Sequence, residues 1–250
     1  MDDILPERSL VRAFDSTSPD EGFPVESGSF DMVIDAGGGR EQAPDGLRLF
    51  SRDEIGSWDL LAERLIEERP DLMLSMARRF PGLRPLVSQR IIKETAIANA
   101  EFAMLSSLPG VIPIIGVLLP PGAIVDIFML TKNQGMMLFK LAAIHELPLD
   151  ISSRSRDLAP LLANAFGWRA IARELVGGVP GGIGMVARGS IAYAGTVALG
   201  KGILRLYETG RQPTRAQINQ FYHEALKSAK GTIQGIARRI RPQRKKAIAK

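Results

Sequence analysis

The sequence of 250 residues lacks cysteine entirely and contains only two histidines, His145 and His223. Without cysteine, the chain can form no disulfide, no thiolate nucleophile and no cysteine-ligated zinc site. The two histidines have no paired spacing, and neither has a serine and an acid at a spacing typical of a catalytic triad. These absences predict a protein that is not an enzyme and that holds no metal or cofactor. His145, near a predicted helix end, is interpreted as a solvated or capping residue.

Charge is distributed unevenly along the chain, although the net charge is only +5. Residues 1–47 contain eleven acids and three arginines, whereas residues 227–250 contain nine Lys or Arg and no acid. The acidic segment mixes Ser, Pro and Gly with isolated apolar residues, which predicts a mostly disordered tail over residues 1–49. Only the segment Met32 to Ile34 suits a short strand. The basic segment favours an acidic partner: a nucleic acid, lipid headgroups or the acidic tail of the same chain.

The basic segment, residues 227–250, contains no aromatic side chain. Proteins that recognise nucleic acids usually combine Lys and Arg with aromatic side chains that stack on bases, or with a module that reads a groove. We therefore expect no nucleic-acid partner. Anionic membrane lipid is the expected external partner of this segment, and contact with the acidic tail of the same chain stays open.

Apolar residues at helical spacing predict an all-α protein, a multi-helix bundle in a single domain over residues 50–240 with a basic tail over 241–250. Capping boxes open the first helix at Ser51 and the last helix at Thr214, where Glu or Gln three residues later completes the box. Prolines end or interrupt the helices between them. The predicted intermediate helices are 72–80, 85–107, 122–147 and two short ones between 156 and 176.

Residues 102–125 carry no charge, a run long enough to cross a bilayer, but four of these residues are proline. Proline inside a helix removes a backbone hydrogen bond and clashes with the preceding turn, at a cost of about 3 kcal/mol. The run is therefore divided into pieces too short to cross about 30 Å of hydrocarbon. This predicts a bent apolar hairpin that either dips into one leaflet or is buried in protein. The prolines are Pro109, Pro113, Pro120 and Pro121.

Residues 175–200 form a second apolar segment, with eight glycines and Arg188 as the single charge. Glycine weakens a water-exposed helix by about 1 kcal/mol relative to alanine, but it lets two helices approach closely. Small residues recur at every fourth position, and this ladder is formed by Ser190, Ala194, Ala198 and Gly202. The ladder predicts close helix packing, either inside the protein or against a second copy in a homo-oligomer.

Asp126 stands at the edge of the uncharged run, on the same side of the predicted helix as Asn133 and Lys140. A carboxylate in apolar surroundings needs a cationic partner or takes up a proton. Two interpretations stay open. One is a buried ion pair or helix cap, with a partner such as Lys132, Lys140 or Arg188, and the other is a proton relay or a latch between helices. Arg188 itself either pairs with Asp126 or extends to lipid headgroups.

The last predicted helix combines an apolar stripe with a basic surface. The stripe consists of Ile218, Phe221, Tyr222, Ala225, Ala229, Ile233, Ile236 and Ile240. The residues expected to contact lipid phosphate are Lys227, Lys230, Arg238, Arg239, Arg241, Arg244, Lys245 and Lys246. An apolar face beside a basic one suits the surface of an anionic membrane. It suits equally a helix docked on the bundle with a solvated basic tail.

Segments between about residues 85 and 230 resemble the YcjF-like family, a domain of unknown function. They are "NAEFAMLSSLPGVIPIIG", "DIFMLTKNQGMMLFKLAAIHEL", "GWRAIARELVGGVPGGIG" and "ARGSIAYAGTVALGKGILRLYETG". The resemblance implies a helical, membrane-associated bacterial domain without established catalytic residues. The same domain is found attached to Era-like small GTPases. Because this chain has neither a Gly-Lys-Ser/Thr phosphate loop nor an Asn-Lys-x-Asp motif, the implied GTPase would be a separate partner.

Two hypotheses of function follow. In the first, a non-enzymatic helical protein associates with the cytoplasmic face of the bacterial inner membrane, with burial supplied by the two apolar segments and lipid contact by the basic helix. In the second, a soluble cytoplasmic adaptor uses the same segments as the core of its bundle and docks a separate Era-like GTPase.

Overall fold

The computed structural model describes residues 32–35, 48–51, 58–106, 123–150 and 182–248, and its side chains within 59–106, 132–150 and 184–240. The two short helices predicted between 156 and 176 lie outside these residues, as does most of the predicted acidic tail. The chain divides into two units, residues 1–68 and residues 69–250.

The first unit contains two short strands and one helix. Strand β1 (Met32–Asp35) pairs in parallel with strand β2 (Arg48–Ser51), and Met32 lies opposite Arg48. The segment at 32–34 is thus a strand, with a partner that the sequence did not indicate. Helix α1 spans Trp58–Glu68 and ends before Pro70, as predicted. Ser51 is the last residue of β2, and residues 52–57 lie outside the described residues, so its capping box stays a prediction.

In its described residues the second unit contains helices joined by turns and irregular segments, and no strand. Two single turns of 3-10 helix begin at prolines, Pro70–Leu72 and Pro81–Leu83. Its five α-helices are α2 (Met73–Arg79), α3 (Arg84–Leu105), α4 (Ala123–Ile144) and the pair described next. Proline suits the first turn of a helix because its missing amide would have no partner there.

Two long helices complete this unit, α5 (Gly182–Thr209) and α6 (Arg215–Ile248). Helices α1 to α6 are the six α-helices of the described residues. The prediction of an all-α multi-helix fold is therefore confirmed. At about 1.5 Å per residue, α6 is about 51 Å long. None of the helices in the described ranges combines the length and the apolar composition that crossing a bilayer requires.

The core of the second unit lies where α5 packs between α3 and α6. Alanine and methionine side chains of α3, a methionine and a tyrosine of α5, and alanine and isoleucine side chains of α6 meet in one apolar cluster. Its members are Ala96, Ala100, Met104, Met185, Tyr193, Ala229, Ile233, Ile236, Ala237 and Ile240. Helix α4 packs against α3 and α5, and α2 packs against α3 and α4.

The start of α6 has the capping box that the sequence predicts. The Gln217 amide nitrogen donates to Thr214 Oγ1 at 3.3 Å, and the Thr214 amide nitrogen donates to Gln217 Oε1 at 3.0 Å. Each side chain therefore satisfies a backbone amide that the helix leaves without a partner. The predicted apolar stripe of α6 is also confirmed, because all its members except Phe221 are buried and Phe221 is half-buried.

Two predicted helices differ from the structure in detail. In the helix predicted over 72–80, Leu72, Met76 and Phe80 share one side at helical spacing, but Met73 and Ala77 are the buried residues of α2. The 3-10 turn that precedes α2 displaces the inward side by one residue. Helix α4 ends at Ile144 rather than at Leu147, because the chain turns at Glu146 in a left-handed conformation with φ of 56°.

Candidate functional site

The small-residue ladder of α5 faces the interior of the bundle. Ala194 and Ala198 pack with Tyr222 and Ala225 of α6 in a second apolar cluster, and Gly202 is buried. Ser190 is half-buried and donates its hydroxyl to the Val186 carbonyl of its own helix at 2.9 Å. The close packing predicted from the ladder therefore occurs within the chain. A homo-oligomer through this face would first have to displace α6.

The glycines beside the ladder let α5 approach α3. A Cβ built on Gly189 would lie 2.6 Å from the Cγ and Sδ atoms of Met104. Real Cβ atoms are not found at such distances, so only glycine fits there without movement of the Met104 side chain. The glycine-rich composition of this segment thus has a structural cause in the described residues, namely close contact between two helices of one bundle.

A buried polar junction ties three helices together. Asn99 of α3 is fully buried, and its Nδ2 donates to Thr196 Oγ1 of α5 at 2.9 Å. Asn133 of α4 donates through its own Nδ2 to Asn99 Oδ1 at 2.9 Å. Thr196 Oγ1 donates in turn to the Ala192 carbonyl at 2.8 Å. Buried amide groups are costly without partners, so this junction favours one register of α3, α4 and α5.

The sequence patterns place Asn133 and Thr196 on two separate helices, and they do not indicate that both bind Asn99. Asn133 lies on the side of α4 shared with Asp126 and Lys140, and Thr196 lies between Ala194 and Ala198 of the ladder in the sequence. Asn99 was missed. Asn99 lies between Ala98 and Ala100, which is a usable signal of a buried asparagine. A buried asparagine seldom lacks polar partners, so the sequence could have indicated a polar contact here.

The outer side of α6 carries a row of basic residues. Lys227, Lys230 and Arg238 are exposed, at spacings that place them on one side of the helix and opposite the buried stripe. Arg239 lies to one side of this row and donates to Glu101 Oε1 of α3 at 3.1 Å. We call Lys227, Lys230 and Arg238 the basic row. Arg241 and Lys245 follow at the same spacing on the helical backbone, and their side chains lie outside the described residues.

Glu224 is the last acid of the sequence before the basic row, and it is already engaged. It accepts hydrogen bonds from Gln220 Nε2 at 2.9 Å and from Lys201 Nζ at 3.4 Å. The Gln220 hydrogen bond, and after it Lys201, lower the pKa of Glu224. Lys201 Nζ also lies 5.6 Å from the centre of the Phe221 ring. No acidic residue occurs from residue 225 to the end of the sequence, so no acid of α6 lies within the row.

For several predicted site residues, the residue itself or its side chain lies outside the part of the chain that the structure describes. Four prolines, Pro109, Pro113, Pro120 and Pro121, lie outside the described residues. Asp126 lies on the described backbone of α4, but its side chain does not belong to the described part, so its predicted partner stays a prediction. Arg188 is exposed on α5. The side chains of Arg244 and Lys246 are likewise not described, although their backbone continues α6.

Within the described residues, no three His, Asp or Glu side chains converge as a metal site would require. Comparison with family models, with curated proteins and with solved structures found no match to this chain. The resemblance to the YcjF-like family therefore stays a prediction from the sequence segments.

Proposed function

We propose that this protein is a non-enzymatic helical module that attaches peripherally to an anionic membrane surface through the basic row of α6. The supporting observation is the orientation of α6: its apolar stripe is buried against α3 and α5, while Lys227, Lys230 and Arg238 are exposed. The apolar side is already used inside the bundle, so lipid contact through α6 would be electrostatic rather than insertional.

The geometry of the row suits a flat, negatively charged surface. From Lys227 to Arg238 the basic row extends along about 17 Å of helix at about 1.5 Å per residue, and the backbone positions of Arg241 and Lys245 continue the same spacing. A straight row can bring several cations to a membrane at once, and each Lys or Arg near such a surface contributes about 1 kcal/mol. By the resemblance of the chain to membrane-associated bacterial domains, the membrane proposed is the cytoplasmic face of the inner membrane.

Vesicle sedimentation tests this function. We expect the purified chain to bind vesicles containing phosphatidylglycerol at low salt, to be released at high salt and to bind phosphatidylcholine vesicles weakly. Replacing two lysines of the row (Lys227→Glu with Lys230→Glu) should lower the partition coefficient at least about 30-fold, since two lysines contribute about 2 kcal/mol.

A matched control reverses the charge of two basic residues outside the basic row. Arg78→Glu with Lys93→Glu also alters two exposed basic residues of the second unit, on α2 and α3. This pair should reduce binding far less than the pair in the basic row. Equal losses would show that only net charge matters. A chain that stays with membranes through alkaline carbonate would instead indicate that the apolar run at 102–125 is embedded.

A second candidate function is a soluble adaptor, and burial of the α5 ladder favours it. Ala194, Ala198 and Gly202 serve the core of the protein itself, as the adaptor hypothesis requires. The resemblance implies a separate Era-like GTPase as the partner. Binding of such a GTPase, stronger with GTP than with GDP and unaffected by Lys227→Glu with Lys230→Glu, would support this function over the first.

A further inference from the structure

The turn that ends α4 contains an unusual residue. Glu146 has φ of 56°, and it is the one non-glycine residue with positive φ in the described part of the chain. The left-handed conformation is unfavourable for a residue with a Cβ and is usually adopted by glycine at this position. The hydrogen bonds of the turn include one from Leu147 N–H to Ala142 O at 2.9 Å and one from Glu146 N–H to Ala143 O at 3.2 Å.

Arg84 holds Glu146 in this conformation. Its Nη2 donates to Glu146 Oε1 at 2.6 Å and to the Arg78 carbonyl at 3.1 Å, while its Nε donates to the Ala77 carbonyl at 3.3 Å. One guanidinium at the start of α3 thus joins the C-terminal carbonyls of α2 to the turn after α4. Such a contact between distant residues can maintain backbone strain that local sequence would not choose.

His145 lies inside the same corner without a partner for one nitrogen. Its Nε2 is buried and has no hydrogen-bond partner, and its ring centre lies 6.3 Å from that of Tyr207 on α5. Burial, and after it the Arg84 guanidinium, lower the pKa of His145 below its ordinary value. Both effects favour the neutral form of the imidazole. We call Arg84, His145, Glu146 and Tyr207 the Arg84 corner.

Other charged side chains lie on the elements that form the corner. Lys140 is half-buried one turn earlier on α4, and Arg205 lies on α5 with Tyr207. Side chains of Arg78 and Arg79 on α2, and of Glu208 and Asp150, are exposed. Glu146 is the nearest carboxylate in sequence, and it is bound to Arg84.

We propose that the Arg84 corner is a pH-responsive latch, in which protonation of His145 opens the turn at residues 145–147 and releases the chain where it leaves α4. A protonated imidazole would place a second cation next to Arg84, with a buried N–H and no acceptor. Opening of the turn lets that N–H reach water and relieves the backbone strain of the left-handed Glu146. The corner is closed at neutral pH and opens on acidification.

The direction of the pH effect on the closed turn follows from proton linkage. In the open turn His145 titrates near 6.5, the value of an exposed histidine, and in the closed turn it titrates lower. The open form therefore binds more protons, and the closed form loses stability as the pH falls below about 6.5. Stability of the closed turn is fully present above that pH. Each unit of difference between the two pKa values changes the closing equilibrium about tenfold.

Hydrogen exchange at the Leu147 amide tests the latch in the full chain, because this amide is bonded only when the turn is closed. We expect its protection, corrected for the intrinsic effect of pH, to fall from pH 7.5 to pH 5.0. His145→Gln should abolish the fall. His223→Gln, which removes the other histidine of the chain, should retain it; His223 is exposed on α6.

A second measurement keeps the test decisive if His145→Gln does not fold. NMR titration of the imidazole signals, assigned with His223→Gln, gives the pKa of His145 in the intact protein. A value below 6.5, with loss of Leu147 protection over the same pH range, supports the latch. A value at or above 6.5, unchanged protection at pH 5.0, or the same fall in His145→Gln would overturn it.

Discussion

Gly200 of α5 lies so close to Ile92 of α3 that the two helices leave no space for a methyl group between them. A Cβ built on Gly200 would be 2.7 Å from Ile92 Cγ1 and 2.9 Å from Ile92 Cγ2. Ile92 is buried, and its branched side chain has little rotameric freedom in a helix, so it cannot move aside easily. The separation of α3 and α5 therefore depends on this glycine.

Gly200→Ala should destabilise the protein by about 1–3 kcal/mol, the usual cost of overpacking a core. Gly195→Ala is the matched control on the same helix, since a Cβ there would meet nothing within 4 Å. It should stabilise by about 0.5–1 kcal/mol, because alanine favours helix over glycine. Urea unfolding of both variants measures the difference. A Gly200→Ala variant as stable as Gly195→Ala would contradict the close contact.

The polar junction leads to a second prediction. Thr196→Val keeps the shape of the side chain but removes the oxygen that accepts the Asn99 Nδ2–H. Because Asn99 is fully buried, its amide would lose that partner, and we expect a loss of about 1–3 kcal/mol in the free energy of unfolding.

Thr95→Val is the control for that substitution. Thr95 Oγ1 donates only to the Ile91 carbonyl of its own helix, at 2.8 Å, and this type of bond adds little to stability. Its removal should change the free energy of unfolding by no more than about 0.5 kcal/mol. If both valine variants lose the same stability, the junction contributes nothing specific.

What the sequence could predict is local. The Thr214–Gln217 capping box spans four residues, and both of its hydrogen bonds are present. The stripe of α6 and the ladder of α5 repeat at helical spacing, so each identifies a buried face from the residues alone. The pattern identifies the face but not the helix that covers it, and the pairing of the ladder with α6 appears only in the structure.

What the sequence could not predict depends on residues far apart in the chain. The left-handed Glu146 is bound to Arg84, 62 residues earlier, and Asn99 is bound to Thr196, 97 residues later. Pro148 predicts a helix that ends at Leu147. The observed α4 ends at Ile144, in a turn where Glu146 forms an ion pair with Arg84. Neither contact has a signature in a window of ordinary length, because each is set by the packing of whole helices.

The cap of α6 supplies a third prediction. Thr214→Ala should cost about 1 kcal/mol, because the Gln217 amide loses its acceptor at the end of a long helix. Thr214→Ser retains the hydroxyl and should lose no more than a few tenths of a kcal/mol. Thermal unfolding followed by circular dichroism compares the two. An alanine variant as stable as the serine variant would show that the observed bond is not stabilising.

The last prediction separates the backbone strain at Glu146 from its ion pair with Arg84. Glu146→Gly and Glu146→Ala both remove the carboxylate, which is worth at most about 1 kcal/mol because more than half of that side chain is exposed. They differ in the backbone, since alanine keeps the Cβ that makes φ of 56° unfavourable and glycine does not. Glycine should therefore be more stable than alanine by about 1 kcal/mol in chemical unfolding. At an ordinary helical position the order is reversed, so alanine equal to or above glycine would mean that the left-handed turn does not persist in solution.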